Sequence, residues 1–215
     1  LVAIVVVKQF FGGIGQNFVN PALAGRIVLL TSFPVAMSTW TQPLTWTMSQ
    51  LDGVTSASPL SSIHSMISGG SAPDVSLVEM LIGWRAGCLG ETCAVALILG
   101  GIYLVVRKVI SPTIPLTYIG TVAVIMLIAG KGDFRFVAYE ILGGGLMLGA
   151  IFMATDYTTS PITFKGKIIF GIGCGLITSV IRIFGNLPEG VSYSIIIMNI
   201  LVPLIENVTL PKPFG

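Results

Sequence analysis

Residues 168–184 read Ile-Ile-Phe-Gly-Ile-Gly-Cys-Gly-Leu-Ile-Thr-Ser-Val-Ile-Arg-Ile-Phe, and a single charged side chain, Arg182, interrupts this apolar run. A helix of about 17 residues extends about 25 Å, which is most of the hydrocarbon thickness of a bilayer. The chain contains 26 glycines, which fit closely packed membrane helices because small residues let backbones approach. The stretch therefore predicts a membrane helix.

The rest of the chain has the same character. Hydrophobic residues make up 53% of its 215 residues and charged residues 9%, whereas soluble domains carry about 25% charged residues. The mean hydropathy is +0.93. We therefore predict an all-α integral membrane protein, a polytopic helical bundle. A net charge of +2 gives no reason to expect a nucleic-acid partner.

Six apolar segments are candidate membrane helices, with ends uncertain by a few residues. They are residues 21–37, 93–106, 115–129, 134–154, 168–184 and 191–205. The shorter segment 75–81 contains Glu79 and is expected to form a surface or re-entrant helix. Residues 1–7 are also apolar, and we expect the chain to enter in the middle of a membrane segment. Residues 1–215 would then be a single membrane domain, the C-terminal portion of a longer chain.

The apolar pattern is broken before the first complete segment. Residues 10–21 contain three glycines, Asn17, Asn20 and Pro21, with Phe10, Phe11 and Phe18 among them. Unwound backbone at membrane depth is tolerated where protein or a cavity covers it, so the break is a candidate ligand site. A tight turn in which Asn20 caps the helix that Pro21 begins explains the same residues equally well. The fold class therefore includes broken helices.

The basic residues orient the predicted helices. If the segments alternate across the membrane, Lys8, Arg107, Lys108, Lys165, Lys167 and Lys212 fall on one side. The other side receives Lys131, Asp133, Arg135 and Glu189. Cytoplasmic loops collect Lys and Arg, so the first group is predicted to be cytoplasmic.

The long polar segment 38–74 is then predicted to be an extracytoplasmic loop. It contains Trp40 and Trp46, which suit an interfacial position, and the run Asp52-Gly-Val-Thr55-Ser56-Ala57-Ser58-Pro-Leu60. Asp, Gly, Ser and Pro favour turns, so the run taken alone is most simply a solvated hydroxyl-rich turn. Loops of this length in compact proteins are usually functional or disordered.

Ionisable residues in apolar segments are candidate functional groups because burying a charge in a membrane is costly. Snorkelling near a helix end accounts for Glu206 and Arg182. Glu91 and Glu140 are harder to explain in this way, since each lies near or within a glycine-rich helix. Either could lie on a cation pathway or pair with Arg26 or Arg182.

Several blocks together resemble the RnfD/NqrB family of membrane subunits from ion-translocating redox complexes. The run 52–60 resembles the family's flavin-transfer acceptor pattern, Asp-x-x-(Ser/Thr)-(Gly/Ser)-Ala-(Thr/Ser). The stretches at 160–163 and 191–193 are more similar to RnfD than to the longer NqrB. The other matching blocks are residues 12–17, 20–24, 32–34, 90–92, 153–161, 171–175, 188–190 and 198–205.

The resemblance implies FMN attached covalently, through a phosphoester, to the last hydroxyl of the pattern. That residue is Ser58, where the family usually has Thr, and a serine hydroxyl can form the same ester. Asp52 would serve recognition by the transferase, and Thr55, Ser56 and Ala57 complete the pattern. The resemblance also implies a second, non-covalent flavin, riboflavin, for which Asn17 and Asn20 are the matching residues, since amides hydrogen-bond a flavin edge.

The function implied is electron transfer between flavins within a ferredoxin:NAD oxidoreductase that pumps Na⁺ or H⁺ at the inner membrane. Partners would be other membrane subunits, a second flavinylated subunit, iron–sulfur subunits and membrane lipid. Neither independent turnover nor a metal site is expected, because no catalytic or metal-ligand pattern is present in Cys88, Cys93, Cys174 and His64. The alternative is a cofactor-free secondary transporter or channel subunit, which the broken segment 12–21 favours.

Overall fold

A computed structural model describes residues 1–13, 15–41, 55–57, 63, 75–85, 87–88, 90–185 and 190–211. Helices form nearly all of the regular structure in these ranges. A π-helical turn, Val2–Val6, and a 3₁₀ turn, Gln9–Phe11, come first. The α-helices that follow are α1 (Pro21–Ser32), α2 (Pro34–Ser38), α3 (Leu77–Ile82), α4 (Ala94–Val106), α5 (Thr113–Ala129), α6 (Phe134–Leu142), α7 (Leu146–Leu148, continued as a π-helix over Gly149–Met153), α8 (Phe164–Phe184) and α9 (Val191–Thr209).

Helices lie in all six predicted segments, which confirms the all-α membrane fold, but they differ in length. In the described ranges, α8 and α9 are long and apolar enough to cross a membrane alone, with 21 and 19 residues. The pair α6 and α7 forms a third candidate, bent by 65°. Helices α1, α4 and α5 are apolar but shorter. The segment 75–81 is also helical, since α3 begins at a capping box between Ser76 and Glu79.

Two predicted helices are wrong as continuous elements. The helix expected over 21–37 is interrupted at Phe33 (φ −135°, ψ 60°) because Pro34, the first residue of α2, disfavours helical backbone in the residue before it. The helix expected over 134–154 breaks at Gly143–Gly145, where Gly144 has φ +62°. Helix α6 ends where Gly143 becomes extended (φ −76°, ψ 144°), and the left-handed conformation of Gly144 costs a glycine little.

The core is built from α5, α8 and α9. Helices α5 and α8 run in the same direction and approach closely, because Gly171 lies on Thr117 and Gly175 lies on Thr121. Helix α9 runs antiparallel to α8. Tyr118 and Phe170 are completely buried in this three-helix unit. Two glycines of α8 therefore lie at the central interface.

Four basic residues, Arg107, Lys108, Lys165 and Lys167, lie at one end of the bundle, as the alternation of segments predicts. Residues 109–111, which follow α4, line a cavity together with residues 160–162 and Lys167. The Thr163 hydroxyl donates to Thr209 Oγ1 at 2.8 Å, which joins the start of α8 to the end of α9. Arg107 and Lys108 therefore lie at the same end as Lys167.

A two-stranded antiparallel sheet connects the end of α2 with the polar segment. Strand β1 (Thr39–Thr41) pairs with β2 (Thr55–Ala57) in a register that places Thr39 opposite Ala57 and Trp40 opposite Ser56. Residues 55–57 are therefore extended rather than part of a turn. Most of the predicted loop 38–74, including Asp52 and Ser58, lies outside the described residues.

Candidate functional site

The turn before α1 is held by two buried amides. Asn20 caps α1, because its Oδ1 accepts from the backbone N–H groups of Ala22 (3.0 Å) and Leu23 (3.3 Å). Its Nδ2 donates to the Met153 carbonyl at 3.3 Å. Asn17 Nδ2 donates to the Val19 carbonyl and to Thr158 Oγ1, both at 3.1 Å. The capping role predicted for Asn20 is confirmed.

A third amide completes this network from α9. With its nitrogen turned toward two carbonyl oxygens, Asn199 donates to Ile195 (3.2 Å) and Thr159 (3.1 Å) and accepts from Asn20 N (3.1 Å). The side chain of Asn199 is 3% exposed. The network therefore joins the turn before α1, the segment 153–159 and α9, and buried amides of this kind are costly to leave without partners. Asn199 was not predicted, although an asparagine in an apolar helix is a usable signal.

The fit of a riboflavin to Asn17 and Asn20 depends on these bonds. Both polar atoms of the Asn20 side chain already have protein partners, so Asn20 serves the fold in this arrangement. The aromatic side chains beside Asn17, unlike the side chain of Asn20, are exposed and could contact a ligand. Phe11 and Phe18 are 50% and 47% exposed, and their ring centroids lie 4.5 Å apart. They form an aromatic surface next to a buried amide, and the riboflavin site stays a prediction.

Replacing Asn20 by alanine is expected to lower the free energy of unfolding by roughly 1–2 kcal/mol, the usual range for a lost cap. The Met153 carbonyl also loses its donor. Asn20→Ser should lose less, since serine keeps the capping oxygen. Detergent-solubilised protein titrated with SDS and followed by circular dichroism measures the difference. Equal stability of Asn20→Ala and the unchanged protein would contradict the role of the cap.

Arg182 clamps the broken helix α6–α7. Its Nη1 lies 2.8 Å from Glu140 Oε2 and donates to the Glu140 carbonyl at 2.6 Å, and its Nη2 donates to the Gly143 carbonyl at 3.3 Å. Carbonyls freed by a helix break must find donors at membrane depth, and the planar guanidinium can serve several at once. Arg182 is 3% exposed, so the snorkelling explanation for it is wrong.

A second buried carboxylate lies on the other side of the same break. Glu91 Oε2 is 3.7 Å from Arg26 Nη2, and its side chain is 2% exposed. A Cβ added at Gly145 would come within 3.1 Å of Glu91 Oε2, which shows how closely the carboxylate abuts the break. The predicted pairing of the two glutamates with Arg26 and Arg182 is confirmed. Their place on a cation pathway stays a prediction.

Arg85 is a buried cation that sequence reasoning did not single out. It is 3% exposed and donates from Nη2 to the Glu91 carbonyl at 2.8 Å and from Nε to the Thr92 carbonyl at 3.3 Å. The signal was an arginine inside the glycine-spaced run 83–92. Arg182 and Glu91 thus lie at Gly143–Gly145, with Glu140 beside Arg182 and with Arg26 and Arg85 beside Glu91. Charged side chains beside unwound backbone are the arrangement that membrane transporters use to bind ions.

A cluster of hydroxyl groups in the core was also missed. Tyr118 Oη lies 2.6 Å from Thr178 Oγ1 and 2.8 Å from Ser194 Oγ, and Thr178 donates to Ser194 at 2.7 Å. The three residues are fully buried and come from α5, α8 and α9. The cluster ties the three core helices together, and its signal was the presence of hydroxyl residues in apolar segments.

The structure therefore defines a helical membrane protein with a broken helix surrounded by buried charges and a second break capped by amides. The chain belongs to the NQR2, RnfD, RnfE family, whose model matches residues 1–215. Strand β2 holds three residues of the acceptor pattern, 55–57, against β1 at the end of α2.

Relatives of the chain are named as subunits of redox complexes. It is 48% identical to the D subunit of the Na⁺-translocating ferredoxin:NAD⁺ oxidoreductase complex of Acetobacterium woodii, over 99% of this chain and 64% of that protein. It is 41% identical to the D subunit of the proton-translocating ferredoxin:NAD⁺ oxidoreductase complex of Clostridium ljungdahlii, over 100% of this chain and 66% of the relative. For the D subunit of the ion-translocating oxidoreductase complex of Stutzerimonas stutzeri the identity is 37%, over 99% and 68%. The chain thus spans about two thirds of the length of these relatives.

Proposed function

We propose that the chain is a flavin-carrying electron-transfer subunit of a membrane ferredoxin:NAD oxidoreductase complex that couples electron flow to Na⁺ or H⁺ translocation. The observation that carries this proposal is the acceptor pattern at 52–58 in a chain whose relatives are named as the D subunit of such complexes. The two relatives differ in the named ion, so the proposal leaves the ion open. Partners are the other membrane subunits, a second flavinylated subunit and iron–sulfur subunits.

Ser58 is the proposed attachment point of FMN. The ester joins the Ser58 hydroxyl oxygen to the phosphate of FMN, and Asp52 is the recognition residue for the transferase. FMN supplies electron-transfer chemistry that no amino-acid side chain provides. The β-pairing supports a firm tether, because Ala57, the residue before Ser58, lies opposite Thr39, one residue beyond the end of α2.

The direction of α1 supports an extracytoplasmic position for this tether. Helix α1 begins beside Met153, where Asn20 donates to the Met153 carbonyl, and Thr155 lies in the same cavity as Lys167 at the basic end. Twelve residues then carry the chain about 18 Å toward α2 and β1. If the basic end faces the cytoplasm, as the positive-inside rule indicates, β1 and Ser58 follow on the other side.

Flavinylation of the subunit is testable on a denaturing gel under ultraviolet light. The full-length protein, produced with its transferase, is expected to fluoresce, and the peptide containing Ser58 should gain the mass of FMN less one water. Ser58→Ala should abolish both signals, Ser58→Thr should keep them, and Ser61→Ala is the matched control in the same loop. A mass gain that persists in Ser58→Ala would refute the assignment of the acceptor.

The same experiment separates the redox proposal from the transporter alternative. A cofactor-free transporter or channel subunit would show no flavin fluorescence in correctly processed protein. The broken helix α6–α7 and its charges are compatible with ion movement in either case. We propose that Glu91 and Glu140 lie on the ion pathway, because both carboxylates abut the break.

Riboflavin is the second proposed cofactor, held at Asn17 beside the exposed pair Phe11 and Phe18, while Asn20 positions the turn that carries Asn17. The Ser58→Ala protein is expected to carry no covalent flavin, so acid extraction of this variant releases only non-covalent flavin. Chromatography of that extract should then show riboflavin, and an extract without flavin would refute this site.

A further inference from the structure

An apolar groove lies between α4 and α5. Its volume is about 340 Å³, and its walls are apolar side chains of α4, α5 and the π-helix after α7. Ile102 and Val106 on α4 and Leu116 on α5 border its open side and are 55%, 72% and 69% exposed. An open channel with only hydrocarbon walls suits a flexible hydrocarbon chain.

A second, polar cavity adjoins the groove at the basic end. This second cavity has a volume of about 230 Å³ and shares Ile110 with the groove. Ser111, Thr155, Ser160 and Lys167 contribute hydroxyl groups and an ammonium to its walls. An apolar groove thus lies next to a polar pocket in which the Lys167 ammonium can donate to an anion, while the Thr155 hydroxyl already donates to the Ile151 carbonyl at 2.6 Å.

The charges around the polar cavity are predominantly positive. Arg107 and Lys108 are exposed just before the shared Ile110, and Lys165 is exposed two residues before Lys167. The neighbouring carboxylates are already engaged with the protein.

Asp156 Oδ2 accepts from the hydroxyls of Thr158 (3.0 Å) and Thr159 (3.1 Å). Glu206 Oε1 accepts from the Ile162 N–H at 3.1 Å. Near the cavity, four cations (Arg107, Lys108, Lys165 and Lys167) thus outnumber two carboxylates that accept hydrogen bonds from the protein, and basic residues of this kind attract an anionic group at a membrane surface.

We propose that this pair of cavities binds an anionic phospholipid, with one acyl chain in the groove between α4 and α5 and the phosphate at Lys167. Arg107 and Lys108 contribute to the attraction of the head group. The complementary charge distinguishes this occupant from a neutral lipid, and the adjoining apolar channel distinguishes it from free phosphate. The proposal does not depend on the flavin.

The site can be tested with phosphatidylglycerol that carries a photoactivatable group on one acyl chain. The full-length protein, in its complex, is reconstituted with this probe, illuminated, digested and analysed by mass spectrometry. Label is expected on peptides from residues 98–119, and a phosphatidylcholine probe should give several-fold less. Each basic residue near an anionic surface contributes roughly a fivefold factor. Lys167→Gln should therefore reduce the phosphatidylglycerol signal roughly fivefold, to the level of phosphatidylcholine.

Matched variants separate the groove from general lipid contact. Val106→Trp fills the open side and should remove the label from residues 98–119. Leu99→Trp, on the same helix and 63% exposed but outside the groove, should leave it unchanged, as should Lys131→Gln at the opposite end. Excess inorganic phosphate should not compete. Equal labelling by both lipids, no labelling of residues 98–119, or labelling that survives Val106→Trp would overturn the proposal.

Discussion

Replacing Arg182 by leucine is expected to lower the stability of the protein by about 3–5 kcal/mol, the usual cost of removing one partner of a buried ion pair. The Glu140 carboxylate would remain buried without its counter-charge. The carbonyls of Glu140 and Gly143 would lose their donors as well. SDS titration of the purified full-length protein measures this change, and a lower amount of protein in membranes should accompany it.

Two further variants show whether the break itself requires the arginine. Arg182→Lys should recover only part of the loss, because one ammonium cannot reproduce the spread of the guanidinium donors. Arg107→Leu removes an exposed arginine and serves as the control. If Arg182→Leu were as stable as Arg107→Leu, the clamp on α6–α7 would contribute nothing.

Valine at Gly175 is the second substitution with a large expected effect. A Cβ at this position would lie 2.6 Å from Thr121 Cβ and 3.1 Å from the Tyr118 carbonyl. Helices α5 and α8 would have to separate, and overpacking of this kind costs about 1–3 kcal/mol. The displacement should also weaken the hydroxyl contacts of Tyr118 with α8 and α9. SDS titration should show the loss of stability.

Gly120 on α5 provides the matched control for that substitution. A Cβ added there meets no atom within 4 Å, and alanine is a better helix former than glycine. Gly120→Ala should therefore leave stability unchanged or raise it slightly. A Gly175→Val protein as stable as Gly120→Ala would show that the helices do not depend on close approach at this interface.

The sequence was most informative where residue chemistry alone constrains the structure. Hydropathy placed the helices, Asn20 followed by Pro21 predicted the start of α1, and the scarcity of charge in apolar segments marked Glu91 and Glu140. The break at Phe33 follows from Pro34, which disfavours helical backbone in the residue before it. The prediction of one helix over 21–37 followed the length of the apolar run instead. The bend at Gly143–Gly145 was also missed. The apolar pattern of the sequence continues through these glycines, whereas the helical backbone stops there.

Other features depend on contacts between distant residues and could not be deduced from local patterns. Nothing in the sequence decides that Glu140, rather than Glu91, pairs with Arg182. The pairing follows from the way α8 packs against the end of α6. The extension of Thr55–Ala57 as a strand depends likewise on Thr39–Thr41, since the same hydroxyl residues suit a turn when no partner strand is present.

The amide network of Asn20 also has a consequence for the order of assembly during synthesis. Asn20 and Asn17 find partners 133 and 141 residues further along the chain, and Asn199 belongs to the last helix, α9. The start of α1 cannot satisfy these amides while the ribosome is still producing the middle of the chain. Helix α1 should therefore settle into its final position only after α9 has entered the bilayer, so a helix that is synthesised before α9 is fixed in place after it.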